Sequence, residues 1–426
     1  MNIQALGTVL MQTFSTAGDA ACSLLASGGG AELLVRMMAE FPDSSEVQDP
    51  AAIVLCRLAV LGPEPFQQVC AAGGVHAMLR ALEVHLQCPD MPHCGVMATA
   101  CCQAGDDCYV RVEPVKTIGL LLSAMASFPD EPKIQALCCR GLLDLQRGKI
   151  GTSRATRIVD EGGLEAVLKS LRAHPKEIEV QIAGVSALRK LVCDTPERGK
   201  HFVRCDGLEP LCLALRAGPE QESICEHGLG ILRHLVPLMK GLPDRLISLD
   251  ALKVILQVLQ YNLARVAVQE FACDLIAHLA WGSKDCQRFF VKECGPRAIA
   301  RTIGAHLDKP SVLALACSAV QSLACENEEG RTQFGDAGVI ELICTAMKMH
   351  SKEADMQTYA CAALQSLVVS HENNTKEVNR LSGASLAEAA IVRHTENTRL
   401  QEFGGMLLDT LQPWRIKARE QRQQGG

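Results

Sequence analysis

Apolar residues recur along this chain at helical spacing, and the whole pattern then recurs. In the stretch EVQIAGVSALRKLVC, residues 179–193, Val180, Ala183, Ala187, Leu188 and Leu191 form the stripe of an amphipathic helix. Arg189 and Lys190 stand side by side near its end. Similar stripes follow small, Gly-rich entries throughout the sequence. The first apolar position after each entry falls at Ala31, Val75, Ile118, Leu164, Leu208, Leu252, Pro296, Ile340 and Ala384, with spacings of 44, 43, 46 and then 44 throughout. Sixteen residues after these positions a second marker keeps the beat: Val47-Gln48, Ile134-Gln135, Val180-Gln181, Val268-Gln269, Met356-Gln357 and Leu400-Gln401. Two markers in one register establish an internal repeat.

Each unit reads as three helical segments. A glycine between the first two permits a turn through positive φ. Pro-containing links such as Phe41-Pro42, Phe128-Pro129 and His174-Pro175 stop the second helix before the third. No single unit can bury its own apolar faces, so the units must stack into an all-α solenoid of about nine three-helix repeats of ~44 residues. The markers extrapolate back to Ile3-Gln4, which makes residues 1–16 an isolated third helix. The expected organisation is one solenoid over residues 1–412, followed by a basic, Gln-rich, disordered tail at 413–426 carrying Arg415, Lys417, Arg419 and Arg422. The first helix offers Ile3, Leu6, Val9, Leu10 and Phe14, an apolar surface for an end where solenoids carry a polar face. This suggests either missing upstream sequence or a docking end.

Composition sharpens the picture. Apolar residues make up 48% of the chain but aromatics only 4%, so the core is built from small and aliphatic side chains, a bias toward helices. A net charge of −6, from 42 basic and 48 acidic residues, gives no pull toward nucleic acid. No apolar run is long enough to predict a membrane span, and the N-terminus lacks the basic region of a signal peptide. The 21 cysteines follow no disulfide spacing and many sit in apolar helical runs, as Cys138-Cys139 does. A reducing compartment, cytoplasmic or nuclear, follows.

The three-helix unit with glycine at its first turn and A-x-x-A-L-x-x-L in its third helix resembles the armadillo repeat. Gly162-Gly163-Leu164 with Ala183, Ala187, Leu188 and Leu191 carry the resemblance, as do Gly338, Ile340, Ala360, Ala363, Leu364 and Leu367. The long repeat and its His-Pro or Phe-Pro link are more similar to the armadillo region of leucine-rich-repeat kinases and vacuolar armadillo proteins than to nuclear-import receptors. The resemblance implies a right-handed superhelix whose third helices line a concave groove for an extended or helical peptide.

Peptide-binding relatives place a ladder of Asn just before the last Leu of the third helix. Here those positions hold Arg57, Cys101, Asp144, Lys190, His234, His278, Ser322, Ser366 and Thr410, and none is Asn. An amide offers both donor and acceptor to a main chain, so this mixed set argues against an import receptor. The polarity of these positions is explained by a solvent-facing groove alone. The sharper expectation is a partner-specific groove in which Arg140, Arg189, Lys190 and Arg233, with His234 and His278, select an acidic peptide or helix, diluted by Asp144 and Asp274.

No chemistry emerges from the motifs. The densest thiol cluster, Cys88, His93, Cys94, Cys101, Cys102 and Cys108, lacks a C-x-x-C pair and predicts no metal site. Neither a phosphate loop nor a nucleophile elbow is present. His174, His350, His394 and His85 end second helices, where positive charge suits the helix terminus. The expectation is therefore a non-catalytic, cofactor-free protein-interaction scaffold or, alternatively, the armadillo arm of a larger signalling protein such as a kinase.

Overall fold

The computed structural model describes residues 3–61, 63–84, 114–146 and 151–412. The Cys88–Cys108 cluster, His85 and the basic tail lie outside these residues. Among the described residues all regular structure is helical. The chain divides into two compact units, Met1–Ala217 and Gly218–Gly426.

The three-helix unit recurs within each. In the first, Gly151–Asp160, Gly163–Ala173 and Ile178–Cys193 follow in order; in the second, Lys284–Lys292, Gly295–Ala305 and Pro310–Ala324 do the same. Third helices stack on one another. In the first unit Ile3–Ser15 packs on Ser45–Val60, and Pro132–Leu145 on Ile178–Cys193. In the second unit Glu222–Leu235, Val266–Gly282, Pro310–Ala324, Ala354–Val368 and Thr398–Leu411 each lie against the next. One unit departs from the pattern: a 3-10 turn at Val236–Leu238 and a seven-residue helix, Leu242–Ser248, stand where other first helices are longer. Pro237 and Pro243 each lack the N–H that would continue a helix through this stretch.

The glycine entry proves to be two separate requirements. The residue before the second helix is left-handed: φ is 86° at Gly162 and 71° at Gly338, while Asp250, Cys294 and Ser382 adopt 55°, 61° and 60° at the same place. The following residue is held by contact. A Cβ on Gly30 would lie 2.5 Å from the carbonyl oxygen of Leu25, and one on Gly295 would lie 2.5 Å from that of Phe290. The first requirement tolerates short polar side chains at some cost in strain; the second is a close backbone approach.

The helix Ile178–Cys193 buries its expected stripe, Val180, Ala183, Ala187, Leu188 and Leu191. It also buries Gly184, Val185, Ser186 and Val192. It is therefore enclosed on most of its circumference, packed on Pro132–Leu145 and on the first and second helices around it. Each fully buried Leu or Val contributes roughly 1.5–3 kcal/mol. By contrast Ile3–Ser15 leaves Leu6, Val9, Leu10 and Phe14 exposed.

The Gln of the second marker has a definite task. Gln48, Gln135, Gln181, Gln269 and Gln357 are buried. The Nε2 of each donates to two carbonyls at the end of its own second helix, ten and seven residues earlier, over 2.7–3.0 Å: Met38 and Phe41, Met125 and Phe128, Leu171 and His174, Leu259 and Asn262, Met347 and His350. Gln401 repeats the pattern on Ile391 and His394. These carbonyls have no partner within their helix, so one amide closes the second helix and fixes the start of the third.

A second ladder joins consecutive repeats. The Nε2 of His174, His306, His350 and His394 donates to the carbonyls of Pro129, Leu263, Leu307 and Ser351, at 2.8, 2.6, 2.6 and 3.0 Å. Asn262 makes the equivalent bond to Pro219 at 2.6 Å. The histidines do end second helices, as the sequence indicates, but the structure uses them as donors to the preceding repeat. A carbonyl partner requires hydrogen on Nε2, which the neutral ring can supply.

Candidate functional site

The positions expected to face the groove lie on the third helices, and they behave differently from one another. In the first unit Arg57 is half-buried in Ser45–Val60. Arg140 is exposed on Pro132–Leu145 and pairs with Glu179 of the next third helix. Asp144 lies one turn further along the same helix. Lys190 extends back so that Nζ donates at 2.8 Å to the carbonyl of Gln146, the C-terminal cap of that helix. A cation at the negative end of a helix is favourable. Arg140 and Asp144 thus lie on one third helix and Arg189 and Lys190 on the next, joined by the reach of Lys190 to the end of the first.

In the second unit Arg233 pairs with Asp274 of the next third helix and lies 5.6 Å from the centre of the Phe271 ring. His234 is half-buried beside it. His278 Nδ1 lies 2.8 Å from the carbonyl oxygen of Asp274 and 3.3 Å from its Oδ1. Burial pushes the Asp274 carboxyl upward, but hydrogen bonding and charge from His278 and Arg233 outweigh that and hold it below the ordinary carboxylate value. The bond to Asp274 raises His278 above the ordinary imidazole value, against the opposing effect of burial. The acidic dilution seen in the sequence at Asp274 is therefore a direct pairing with the neighbouring Arg233 and His278.

Ser322 and Ser366 correct the solvent-facing expectation. They are only 5% and 6% exposed. Their carbonyls accept hydrogen bonds from first-helix side chains of the same repeat, Gln287 Nε2 at 2.8 Å and Arg331 Nε at 3.1 Å. Polarity at these positions does not imply exposure, because a small hydroxyl fits the tight ending of the third helix.

One cluster escaped the sequence reading. Phe271, Leu315 and Tyr359 occupy the same register of three successive repeats, 44 residues apart, two positions beyond the marker in each. They line a cavity of about 750 Å³ within the second unit, together with Glu270, Glu353 and Asp355. Arg399 caps the outer ring, 5.3 Å from the centre of Tyr359. None of these three carboxylates forms an ion pair among the described residues. The usable signal was the bulky residue at marker plus two, hidden by the scarcity of aromatics.

The buried thiols carry no chemistry. Burial pushes Cys139, Cys273 and Cys361 up to about 12, so they remain protonated core side chains. Among the described residues no helix is long and apolar enough to cross a membrane.

Comparison with known proteins is decisive for the family. The chain matches the family described as LRRK2 ARM repeat over residues 2–234 and again over 159–392. It belongs to the LRRK2 ARM repeat family. Solved structures give the same architecture. An engineered protein shares 19% identity at a TM-score of 0.71, with 96% of this chain and 94% of that chain covered. A structure titled for a phosphorylation switch in the interaction between cadherin and beta-catenin shares 16% identity at 0.58, covering 95% and 87%. These likenesses show the fold. No curated protein matches. The chain is thus an all-α, armadillo-type solenoid, a fold that commonly mediates protein binding.

Proposed function

We propose that this protein is a non-catalytic interaction scaffold whose third-helix face receives a segment of a partner protein. The observation that carries this reading is the cavity of the second unit. Its Phe271, Leu315 and Tyr359 recur at the repeat spacing and offer apolar contact at regular intervals. Glu270, Glu353 and Asp355 surround them, and Arg233 in the same cavity is already paired with Asp274. The lining favours a segment that places apolar and cationic side chains alternately along the face. The test is selection from a displayed peptide library, comparing wild type with a Glu270→Gln, Asp355→Asn double variant. Enriched peptides should carry Lys or Arg with aliphatic or aromatic residues, and should bind the variant more weakly and with less salt dependence. Binding that the variant leaves unchanged sinks this reading.

The acidic segment expected from the sequence is the second reading, and a specific observation favours it in the first unit. The partner of Lys190 is a neutral carbonyl, so its charge is not cancelled. Charge reversal at Arg189 and Lys190 should then abolish capture of an acidic peptide while leaving helical content intact. Service as the armadillo arm of a larger signalling protein is compatible with either reading, and transcript sequence around this segment would decide it.

A further inference from the structure

Outside the third-helix face, one cluster brings three different metal-binding side chains together. Glu165 lies in the first turn of Gly163–Ala173; His201 and Cys205 lie at and just beyond the end of Pro196–Arg204, the first helix of the following repeat. Their ligand atoms all lie within 4.8 Å of one another, the sole such group among the described residues. His201 Nε2 is 2.9 Å from Glu165 Oε1, and Cys205 Sγ is 3.6 Å from the same oxygen. A tetrahedral zinc with bonds of about 2.1 Å to nitrogen or oxygen and about 2.3 Å to sulfur separates such atoms by roughly 3.4 and 3.6 Å. The cluster already has nearly that size.

The backbone around the cluster is fixed. His201 and Cys205 are four residues apart, one helical turn, and so point the same way. Arg172, from the Glu165 helix, donates through Nη2 to the carbonyls of Cys205 at 2.8 Å and Asp206 at 3.1 Å. Its charge is turned onto the turn that carries the thiol, which holds Cys205 against the second helix. All three side chains are reachable from solvent, unlike the thiols of the core.

We propose that Glu165, His201 and Cys205 form a transition-metal site, for zinc by preference, that braces two consecutive repeats of the first unit. The set of thiolate, imidazole and carboxylate suits zinc and excludes magnesium and calcium, which take oxygen ligands. Binding forms one bond each to sulfur, nitrogen and oxygen, and the thiol proton leaves to solvent. Water completes the fourth position, as expected where a chain supplies three ligands. The competing arrangement is a surface His–Glu pair with a bystander thiol.

Cobalt(II) titration of the purified full chain separates the two. Wild type should show a near-ultraviolet sulfur-to-cobalt charge-transfer band that saturates and is displaced by zinc. Cys205→Ser should lose that component, and His201→Ala should weaken binding by at least about tenfold, with helical content unchanged in both. The difference between wild type and Cys205→Ser isolates this site from the other thiols. Zinc should also protect Cys205 from alkylation, mapped by mass spectrometry, in wild type but not in Glu165→Gln or His201→Ala. An absent band, a band equal in Cys205→Ser, or alkylation of Cys205 indifferent to zinc would overturn the proposal.

Discussion

At the scale of single residues, the buried amides and imidazoles decide how the backbone is satisfied. Gln357 Nε2 serves two carbonyls at once, at 2.9 and 3.0 Å. Replacing it with Leu leaves both buried oxygens without this donor, which costs about 1–3 kcal/mol; urea denaturation should report that loss as a lower midpoint with an unchanged slope. Gln401 makes the same bonds from a half-buried place, so Gln401→Leu should cost less. His278 adds a pH dependence. Its folded pKa is raised by Asp274, so its stabilising contribution is fully present below about pH 6.5 and is lost as pH rises through the folded value. The Tm of wild type should therefore exceed that of His278→Gln by more at about pH 5.5 than at about pH 8. A gap that is constant across this window would remove the His278–Asp274 pair as a source of stability.

At the scale of elements, the turn between first and second helices is the most exacting joint. Gly295→Ala forces a methyl group toward the Phe290 carbonyl and should destabilise by about 1–3 kcal/mol. Ser382→Gly should act in the opposite direction, by up to about 1 kcal/mol, because Ser382 holds φ at 60°. The pair of variants distinguishes the two roles of this turn by thermal denaturation: if both destabilise, conformational strain at Ser382 is not the governing effect. The third helices show why single-face reasoning fell short. The Ile178–Cys193 stripe was legible from spacing, but burial of Val185, Ser186 and Val192 was not. Those side chains are covered by neighbouring helices, whose placement no local pattern encodes.

At the scale of the molecule, stability is a chain of nearest-neighbour terms. The ring of His306 ties its repeat to the Leu263 carbonyl of the one before. His306→Leu should accelerate amide exchange in both Val266–Gly282 and Pro310–Ala324, whereas His306→Asn, the solution the chain itself uses at Asn262, should restore much of the protection. Exchange confined to the substituted repeat would show that this bond does not couple neighbours.

The sequence by itself determined the period, the three helices per repeat, the all-α class and the family resemblance, because each rests on local spacing and on turn chemistry repeated every 44 residues. It also identified the charges Arg140, Arg189, Lys190 and Arg233, with His278 beside them, on the third helices. Only the tertiary structure decided what those charges do. Arg140 meets Glu179 and Arg233 meets Asp274 across helix boundaries, while Lys190 reaches a helix end 44 residues away. Ser322 and Ser366 are likewise buried, and their carbonyls are met by the first helices of their own repeats, 35 residues earlier in the chain. A one-dimensional pattern fixes which side of a helix is apolar, but pairing, burial and the Phe271–Leu315–Tyr359 row come from the register in which successive repeats stack. That register is set by close packing and by the His ladder between repeats, and it exists only once the repeats are in contact.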